Sequence, residues 1–517
     1  MIDYISENQI SIKEFETPFE VSLLADNRWV KLSKIVPWDN FASIYMSVMH
    51  SEIGRPGISP RMVLGALIIK HLEKLDDRTV ISNIQENVYM QYFVGLKGFC
   101  TRPIFDASLF VEIRKRIGAT TFDKLNTDLI KSISKLEDQK QLSKKPKDND
   151  SDLAPNKGRL QMDATVADQY ITYPTDAKVL NSSRKQCEKM IDKLYALNGK
   201  KGIKPRTYRR KMDTSFLDYA KKKSKSKAVH RKMNRKLLEC VRRDLKHIDN
   251  LLDSYQANNS SFPLNYKEQK LLWVIHTVYE QQKLMYDQKT QSVQDRIVNI
   301  FQAHVRPIPR GKIKSKIEFG SKLGVSLDKG FARITTLSWD AYNESIDLIP
   351  QVEQYKSLHG YYPELVQVDK IYATRTNRAW LKERGIRITA PPLGRKSKKQ
   401  QEESYYQKSK RKAEARQRNQ IEGKFGQGKN GYNLNKIRAK LEKTSESWIA
   451  CIFFVMNLIH YEKMLSFLLN LITLLIPTAL SKAKGEAIKS RWQIYNRKKN
   501  RKWEAVGCLN NSFLSRP

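Results

Sequence analysis

Three acidic residues lie far apart in the chain, each in a local setting that suits phosphodiester chemistry: Asp163 in RLQMDATVA, Asp369 in ELVQVDKIYA and Glu422 in RQRNQIEGKFGQGK. Breaking a phosphodiester needs an activated water and a stabilised leaving oxygen, and two divalent ions about 3.5–4 Å apart can provide both. Mg²⁺ is a hard cation held by a few carboxylates plus substrate phosphate oxygens, so three carboxylates without histidine or thiolate form an appropriate ligand set. A single Asp or Glu is more often a solvated surface charge, so the assignment has to come from context. The eight histidines show no ligand spacing, and the chain has no phosphate-binding G-x-x-x-x-G-K-[ST] loop and no G-x-S-x-G elbow. Neither ATP hydrolysis nor serine catalysis is therefore expected.

Composition points to a polyanionic partner. In 517 residues there are 94 Lys and Arg against 54 Asp and Glu, a net charge of +40. That excess is far beyond what solubility requires, and nucleic acid is the leading candidate, ahead of a ribosome-like structural role or an anionic membrane. The length allows two to four domains. Cys100, Cys187, Cys240, Cys451 and Cys508 are widely spaced and odd in number, which suits neither a disulfide framework nor a zinc finger. The opening MIDYISENQISIKEFETPF is acidic where an export signal needs basic and then apolar residues, so a cytoplasmic protein is expected. One apolar segment, residues 448–476, imitates a membrane span, but His460, Glu462 and Lys463 interrupt it. A buried helix or helix pair is the expectation, with no membrane partner.

The elements that must position the three acids read as an α/β fold. Residues 159–166 alternate in period two, with Leu160, Met162, Ala164 and Val166 on one face and Gln161, Asp163 and Thr165 on the polar face of a half-buried strand. Residues 365–369 form a second short strand ending at Asp369, then a helix over 374–384 closed by Gly385, then a strand over 386–390. Further strands are expected in FQAHVRPI and on either side of the turn Asp328-Lys329-Gly330, with a helix from Ser345 to Leu358. Around Glu422, helical spacing places Ala415, Arg418, Glu422, Phe425 and Lys429 on one face. A metal-binding carboxylate would thus be flanked by two phosphate-binding cations, although an Arg418–Glu422 pair at i, i+4 is also what a plain surface helix carries. Gly426 and Gly428 predict that the helix ends before Lys429.

Other segments organise the remainder. Residues 54–118 read as three short helices: one started by Ser59 and Pro60, a second in DDRTVISNIQENVYMQYFVGL, and a third from Asp106 to Gly118. Residues 134–158 have linker composition. From 178 to 299 the pattern is helical and very basic, with 19 Lys or Arg against 4 Asp or Glu between Lys200 and His247. This basic helical insertion carries KPRTYRRK, including Arg209 and Arg210, and is expected to follow DNA flanks by counterion release. Tyr208 and Tyr219 there could stack on bases, but packing is the commoner use of tyrosine in a helical hairpin. The run GRKSKKQ, with Lys396, reads as a loop facing DNA, and residues 481–517 read as a basic tail.

At these residues the chain resembles the bacterial insertion-sequence DDE transposases. Arg418-x3-Glu422-x6-Lys429 is similar to their third catalytic motif, the Asp163 and Asp369 segments to the first two, and GRPGISPRMVLGALIIKHLEKLDDRTVISNIQENVYMQYFVGL to their helical N-terminal domain. Together these take in residues 54–118 and 159 to about 462. Two positions depart from the pattern: Ala415 stands where the third motif often has Tyr, and Ile371 where the second commonly has Gly. The resemblance implies an RNase H-like mixed sheet with covering helices, divided as a helical DNA-binding or assembly domain over 1–133, the linker, a catalytic domain over 159–177 and 300–480, the insertion and the tail. It implies that Asp163, Asp369 and Glu422 share two Mg²⁺ ions, with Mn²⁺ as substitute, and that Arg418 and Lys429 grip phosphates. It further implies nicking of transposon ends, attack of the freed 3′-hydroxyl on target DNA, and a homodimer bridging terminal inverted repeats. An RNase H-like nuclease without strand transfer, or an inactive DNA-binding relative, are the alternatives.

Overall fold

Six strands and their connecting helices build the centre of the molecule around the segment that carries Asp163. The computed structural model describes residues 15–17, 22–48, 57–141, 156–200, 202–257, 261–309, 317–391 and 405–467. Lys396 with the run 394–400, and the tail 481–517, lie outside these residues. The chain divides into two units, Met1–Asn457 and Leu458–Pro517.

The first unit begins with helices α1 (Arg28–Ile35), α2 (Trp38–Met46), α3 (Pro60–Leu72), α4 (Asp77–Glu86), α5 (Val88–Phe93) and α6 (Leu109–Gln141). Ser59 and Pro60 start α3 as expected, but α3 is buried almost all round rather than on one stripe, Lys70 and His71 included. The second expected helix is two, because Asn87 ends α4 and caps α5 by accepting the N–H groups of Tyr89 and Met90. The third does break at Gly118, as expected: that residue takes φ 65° and ψ 179°, a non-helical conformation open to glycine, and a further helical stretch starts at once beyond the kink and runs to Gln141, into the segment of linker composition.

Strand β1 (Arg159–Asp168) is central. It pairs antiparallel with β3 (Ile317–Asp328) and parallel with β5 (Leu365–Gln367), which in turn pairs parallel with β6 (Arg387–Ile388). The far edge of β3 is shared end to end by β2 (Arg306–Pro309) and β4 (Phe331–Ser338). The β3–β4 hairpin closes at Lys329 and Gly330, both with positive φ, the arrangement that matches strand twist in a two-residue turn. The molecule is mixed α/β, with a helical N-terminal region and a curled mixed sheet, compatible with an RNase H-like transposase fold.

Between β1 and β2 run α7 (Asp176–Leu197), α8 (Arg209–Lys221), α9 (Lys227–Gln256) and α10 (Tyr266–Gln288), which enclose their own core of Leu180, Ile191, Leu194, Leu237, Val241 and Ile248. After β4, a 3₁₀ turn (Glu344–Asp347) leads into α11 (Leu348–His359), and α12 (Arg375–Glu383) follows β5. A long helix, Tyr405–Gly431, then crosses the sheet. The expectation that β1 has one polar, open face is corrected here: Gln161 and Thr165 are as buried as Met162. Leu160 and Met162 pack with Leu348 and Val352 of α11, while the Tyr405–Gly431 helix covers the other face.

The last described helix, Glu442–Phe467, is long and apolar enough to cross a membrane by composition. Residues Trp448–Asn457 of it are instead buried inside the protein. Phe454 packs on Phe41 and Phe122, and Asn457 accepts from the Ala332 N–H in β4 while donating to the Ala332 carbonyl and to Asn126 of α6. This segment therefore ties the N-terminal helices to the sheet, which accounts for its hydrophobicity.

Candidate active site

Two strands present the same three-residue pattern, Gln-x-Asp, side by side. Gln161 in β1 is the register partner of Gln367 in β5, and the Gln161 side-chain amide donates to Gln367 Oε1 at 3.0 Å. Asp163 and Asp369 each stand two residues further along, so continuing the register sets them next to each other on one face. Asp369 keeps an extended backbone (φ −78°, ψ 167°), which preserves that alternation past the last paired residue. The two carboxylates are also held alike: Asp163 Oδ1 accepts from the Ala164 N–H and Asp369 Oδ1 from the Lys370 N–H, both at 2.8 Å.

The glutamines fasten the Tyr405–Gly431 helix across this face. The Gln161 amide also donates to the Gln417 carbonyl at 2.9 Å and Gln420 Oε1 at 3.1 Å, and the Gln367 amide donates to the Glu414 carbonyl at 2.8 Å. One helical turn beyond, Arg418 reaches both Asp163 Oδ2, at 3.8 Å, and Glu422 Oε1, at 3.3 Å. The helix also buries Ile421 and Phe425, which fixes its rotation. Gly426 and Gly428 do not end it, contrary to expectation, and Lys429 is still helical. A Cβ on Gly428 would come within 3.1 Å of Leu434, so a close approach of the following chain, rather than a helix stop, explains this glycine.

Electrostatics single out Asp163. Burial pushes its carboxyl up to about 6, the charges of Glu344 and Glu422 add to this, and the Ala164 N–H and Arg418 oppose it. Glu344, at the start of the 3₁₀ turn, was not foreseen; it is an acid that lies near Asp163 only in the fold, and Lys322 approaches it at 3.3 Å. Tyr372 is wholly buried beside the same acids, and burial with the charges of Glu344 and Asp163 raises its hydroxyl far above the ordinary range. Lys429 lies 3.7 Å from Asp168 and 3.6 Å from Glu318. The Gln-x-Asp repeat was visible in the chain, but its meaning depended on knowing that the two strands are neighbours.

Among the described residues no group of three acidic, histidine or cysteine side chains is gathered tightly enough to hold a metal ion. The structure brings together Asp163, Arg418 and Glu422, while Asp369 stands two residues past the last β1–β5 pair with an exposed side chain. Of the expected DNA contacts in the insertion, Arg209 makes a two-point ion pair with Asp192, both bonds at 2.8 Å, whereas Arg210 is exposed in the first turn of α8. Tyr219 packs in the insertion core with its hydroxyl 2.7 Å from His230 Nδ1, while Tyr208 stays exposed.

A model described as the transposase DDE domain matches residues 366–459, and a transposase domain (DUF772) matches residues 18–116. Together these matches support an insertion-sequence transposase of the DDE type. The DDE match takes in Asp369, Arg418, Glu422 and Lys429, while β1 with Asp163 lies outside it. The chain is similar to an uncharacterized protein, ORF8 in the nfe locus of Rhizobium meliloti, at 27% identity over 150 residues. That match spans 29% of this transposase and 66% of the relative. No solved structure matches the chain. Transposases act on DNA, which agrees with the net charge of +40.

The glutamine ladder makes a prediction of its own. Gln161→Leu removes the amide that joins β1, β5 and the Glu422 helix, so cleavage of DNA should slow by about 10- to 100-fold, as for other residues that orient ligands. DNA binding should stay unchanged in a gel-shift titration. An unaltered cleavage rate would show that the ladder orients nothing.

Proposed function

We propose that this transposase nicks DNA at the ends of an insertion sequence by metal-dependent hydrolysis and then joins the freed 3′-hydroxyl to target DNA. The observation that supports this best is the Gln161–Gln367 pair, which aligns the two Gln-x-Asp segments on neighbouring parallel strands, while Arg418 links Asp163 to Glu422. The donor set fits Mg²⁺ or Mn²⁺: the oxygens are hard, and burial, with the charges of Glu344 and Glu422 added, keeps the Asp163 carboxyl protonated up to about pH 6, so a cation there would offset the cost of ionising it. Asp163, Asp369 and Glu422 would hold two ions, which supply an activated water and charge neutralisation at the leaving oxygen.

In the first step the oxygen of water bonds to phosphorus and the P–O3′ bond breaks. The departing oxygen takes up a proton to leave a 3′-hydroxyl. In the second, that hydroxyl loses its proton and attacks a target phosphodiester, whose own O3′ departs. Arg418 and Lys429 stand on the carboxylate-bearing face of one helix, about three turns apart, so both can meet the non-bridging oxygens of a strand laid across it. The N-terminal helices up to residue 133 and the insertion over 178–299, with Arg209 and Arg210, supply end binding and assembly in this reading, Lys396 adds a further cation for DNA, and a homodimer bridges two terminal repeats.

Asp369→Asn and Glu422→Gln should each abolish nicking of paired end DNA in Mg²⁺ or Mn²⁺ while end binding persists. Full nicking by either variant removes that residue from the site. Strand-transfer products from the wild type distinguish a transposase reaction from simple hydrolysis; nicking without them would leave only the first step.

A further inference from the structure

Beyond the end of β1 lies an open groove of about 930 Å³ that neither the three acids nor the ladder uses. It runs between α10, the chain leading into β2, and residues 440–443. Its walls combine two features that seldom occur together on a surface. Tyr266 and Phe301 turn large rings outward, 77% and 59% exposed. Around them stand Lys267, Lys270, Lys440 and Lys443, joined by Lys115 and Arg306, against the carboxylates of Asp340 and Glu442. Asp340 is itself taken up by Arg306 at 3.5 Å.

A duplex keeps its base faces stacked internally and offers an exposed ring nothing to pack on. An unpaired strand offers both a base face and a phosphate at each step, which is what a groove of open aromatics with a cationic rim selects. A protein partner would have to bury these lysines, at a cost, without gaining from them. The groove also has a defined place relative to the acids. Arg306 is opposite Gly320 in β2–β3, and Gly320 is opposite Asp168, five residues along β1 from Asp163. At about 3.3 Å per residue along β1 and about 4.8 Å for each of the two strand spacings across to β2, that is roughly 19 Å, within reach of a strand leaving the site.

We propose that this groove binds a short single-stranded DNA segment, with bases stacked on Tyr266 and Phe301 and phosphates on the lysines of 267, 270, 440 and 443. The proposal rests on the DNA-cutting reading above for its biological sense but not for its test. Binding of fluorescein-labelled dT12 and of a 12-base-pair duplex is measured by anisotropy in EDTA, where no cleavage occurs. Phe301→Ala and Tyr266→Ala, both at exposed positions, should each weaken dT12 by about 5- to 100-fold and leave the duplex unchanged. Lys440→Glu with Lys443→Glu should lower the salt slope for dT12 by about 1.4. Unchanged dT12 affinity in both aromatic variants overturns the proposal, as does an equal loss for single strand and duplex. So does a loss of self-association in Phe301→Asp, by sedimentation, with dT12 binding intact, since the groove would then be a contact between copies. Because these readouts need no metal, an inactive catalytic site would not disturb them.

Discussion

Asp163→Asn should leave no measurable DNA cleavage and at the same time yield a protein that is harder to unfold. The first effect follows from removing a ligand charge that no neighbour can supply. The second follows from the same burial that makes the site reactive. In the folded protein the Asp163 carboxyl titrates near 6, because burial and the charges of Glu344 and Glu422 disfavour its ionised form; in the unfolded chain it titrates near 3.8. A group whose pKa rises on folding adds stability while protonated and loses it as pH climbs. Below about pH 4 both states carry the proton, and Asn has no advantage. Between 4 and 6 the unfolded chain ionises while the folded carboxyl keeps its proton, so wild-type stability falls as pH rises, and above 6 the full cost applies, about 3 kcal/mol at 1.36 kcal/mol per unit. Urea midpoints at pH 4.5 and 7.5 test this. The variant should gain more at 7.5 than at 4.5, and a variant no more stable than wild type at 7.5 would mean that Asp163 is not held in an unfavourable charged state.

Asp77→Ala should have the largest effect on folding of any single change in the N-terminal helices. The Lys70 ammonium is buried and bonded to Asp77 Oδ1, and Arg114 makes a two-point pair with the same carboxylate at 2.9 and 2.7 Å. Lys70 also lies 3.5 Å from the centroid of the Trp448 ring, so α3, α4, α6 and the segment after 442 meet at this one carboxylate. Burial alone would raise the Asp77 pKa; the Arg114 and Lys70 bonds and charges hold it down at about 2. Taking the carboxylate away leaves two cations in an apolar setting, which costs about 3–5 kcal/mol. The pH dependence identifies the cause. Burial, reinforced by Arg114, has already lowered Lys70 to about 7, and without Asp77 its proton is held less tightly still. Deprotonation then relieves part of the strain, so the loss measured by urea unfolding should be greater at pH 6 than at pH 9. A loss below about 1 kcal/mol, or one independent of pH, would show that the cluster is not stabilised through this charge.

How legible each element was depended on the range of the interactions that make it. The strand around Asp163, the turn at Lys329-Gly330 and the helix started by Pro60 are set by alternation, positive φ and a missing N–H, all local, and they stand where the chain implied them. The errors share a different origin. Gly426 and Gly428 are poor helix residues by intrinsic preference, yet both lie within the Tyr405–Gly431 helix, because packing of the flanking turns outweighs about 1 kcal/mol per glycine. Gln161 and Thr165 look like a solvent face in sequence, and are buried because a helix some 250 residues later lies on them.

The candidate site divides along the same line. Residue type and local setting were enough to nominate Asp163, Asp369, Glu422 and Arg418, since hard-cation chemistry needs carboxylates and a strand end or helix face displays them. The amino-acid sequence by itself also determined the polyanionic partner, since charge is summed along the chain and needs no geometry. Only the tertiary structure decided that Gln161 meets Gln367, that Glu344 joins the acids near Asp163, that Lys429 faces Asp168 and Glu318, and that residues 448–457 serve as a core rather than a membrane span. Each of these depends on which distant segments share a sheet or a face, and that is fixed by pairing and burial between segments, which no local pattern records.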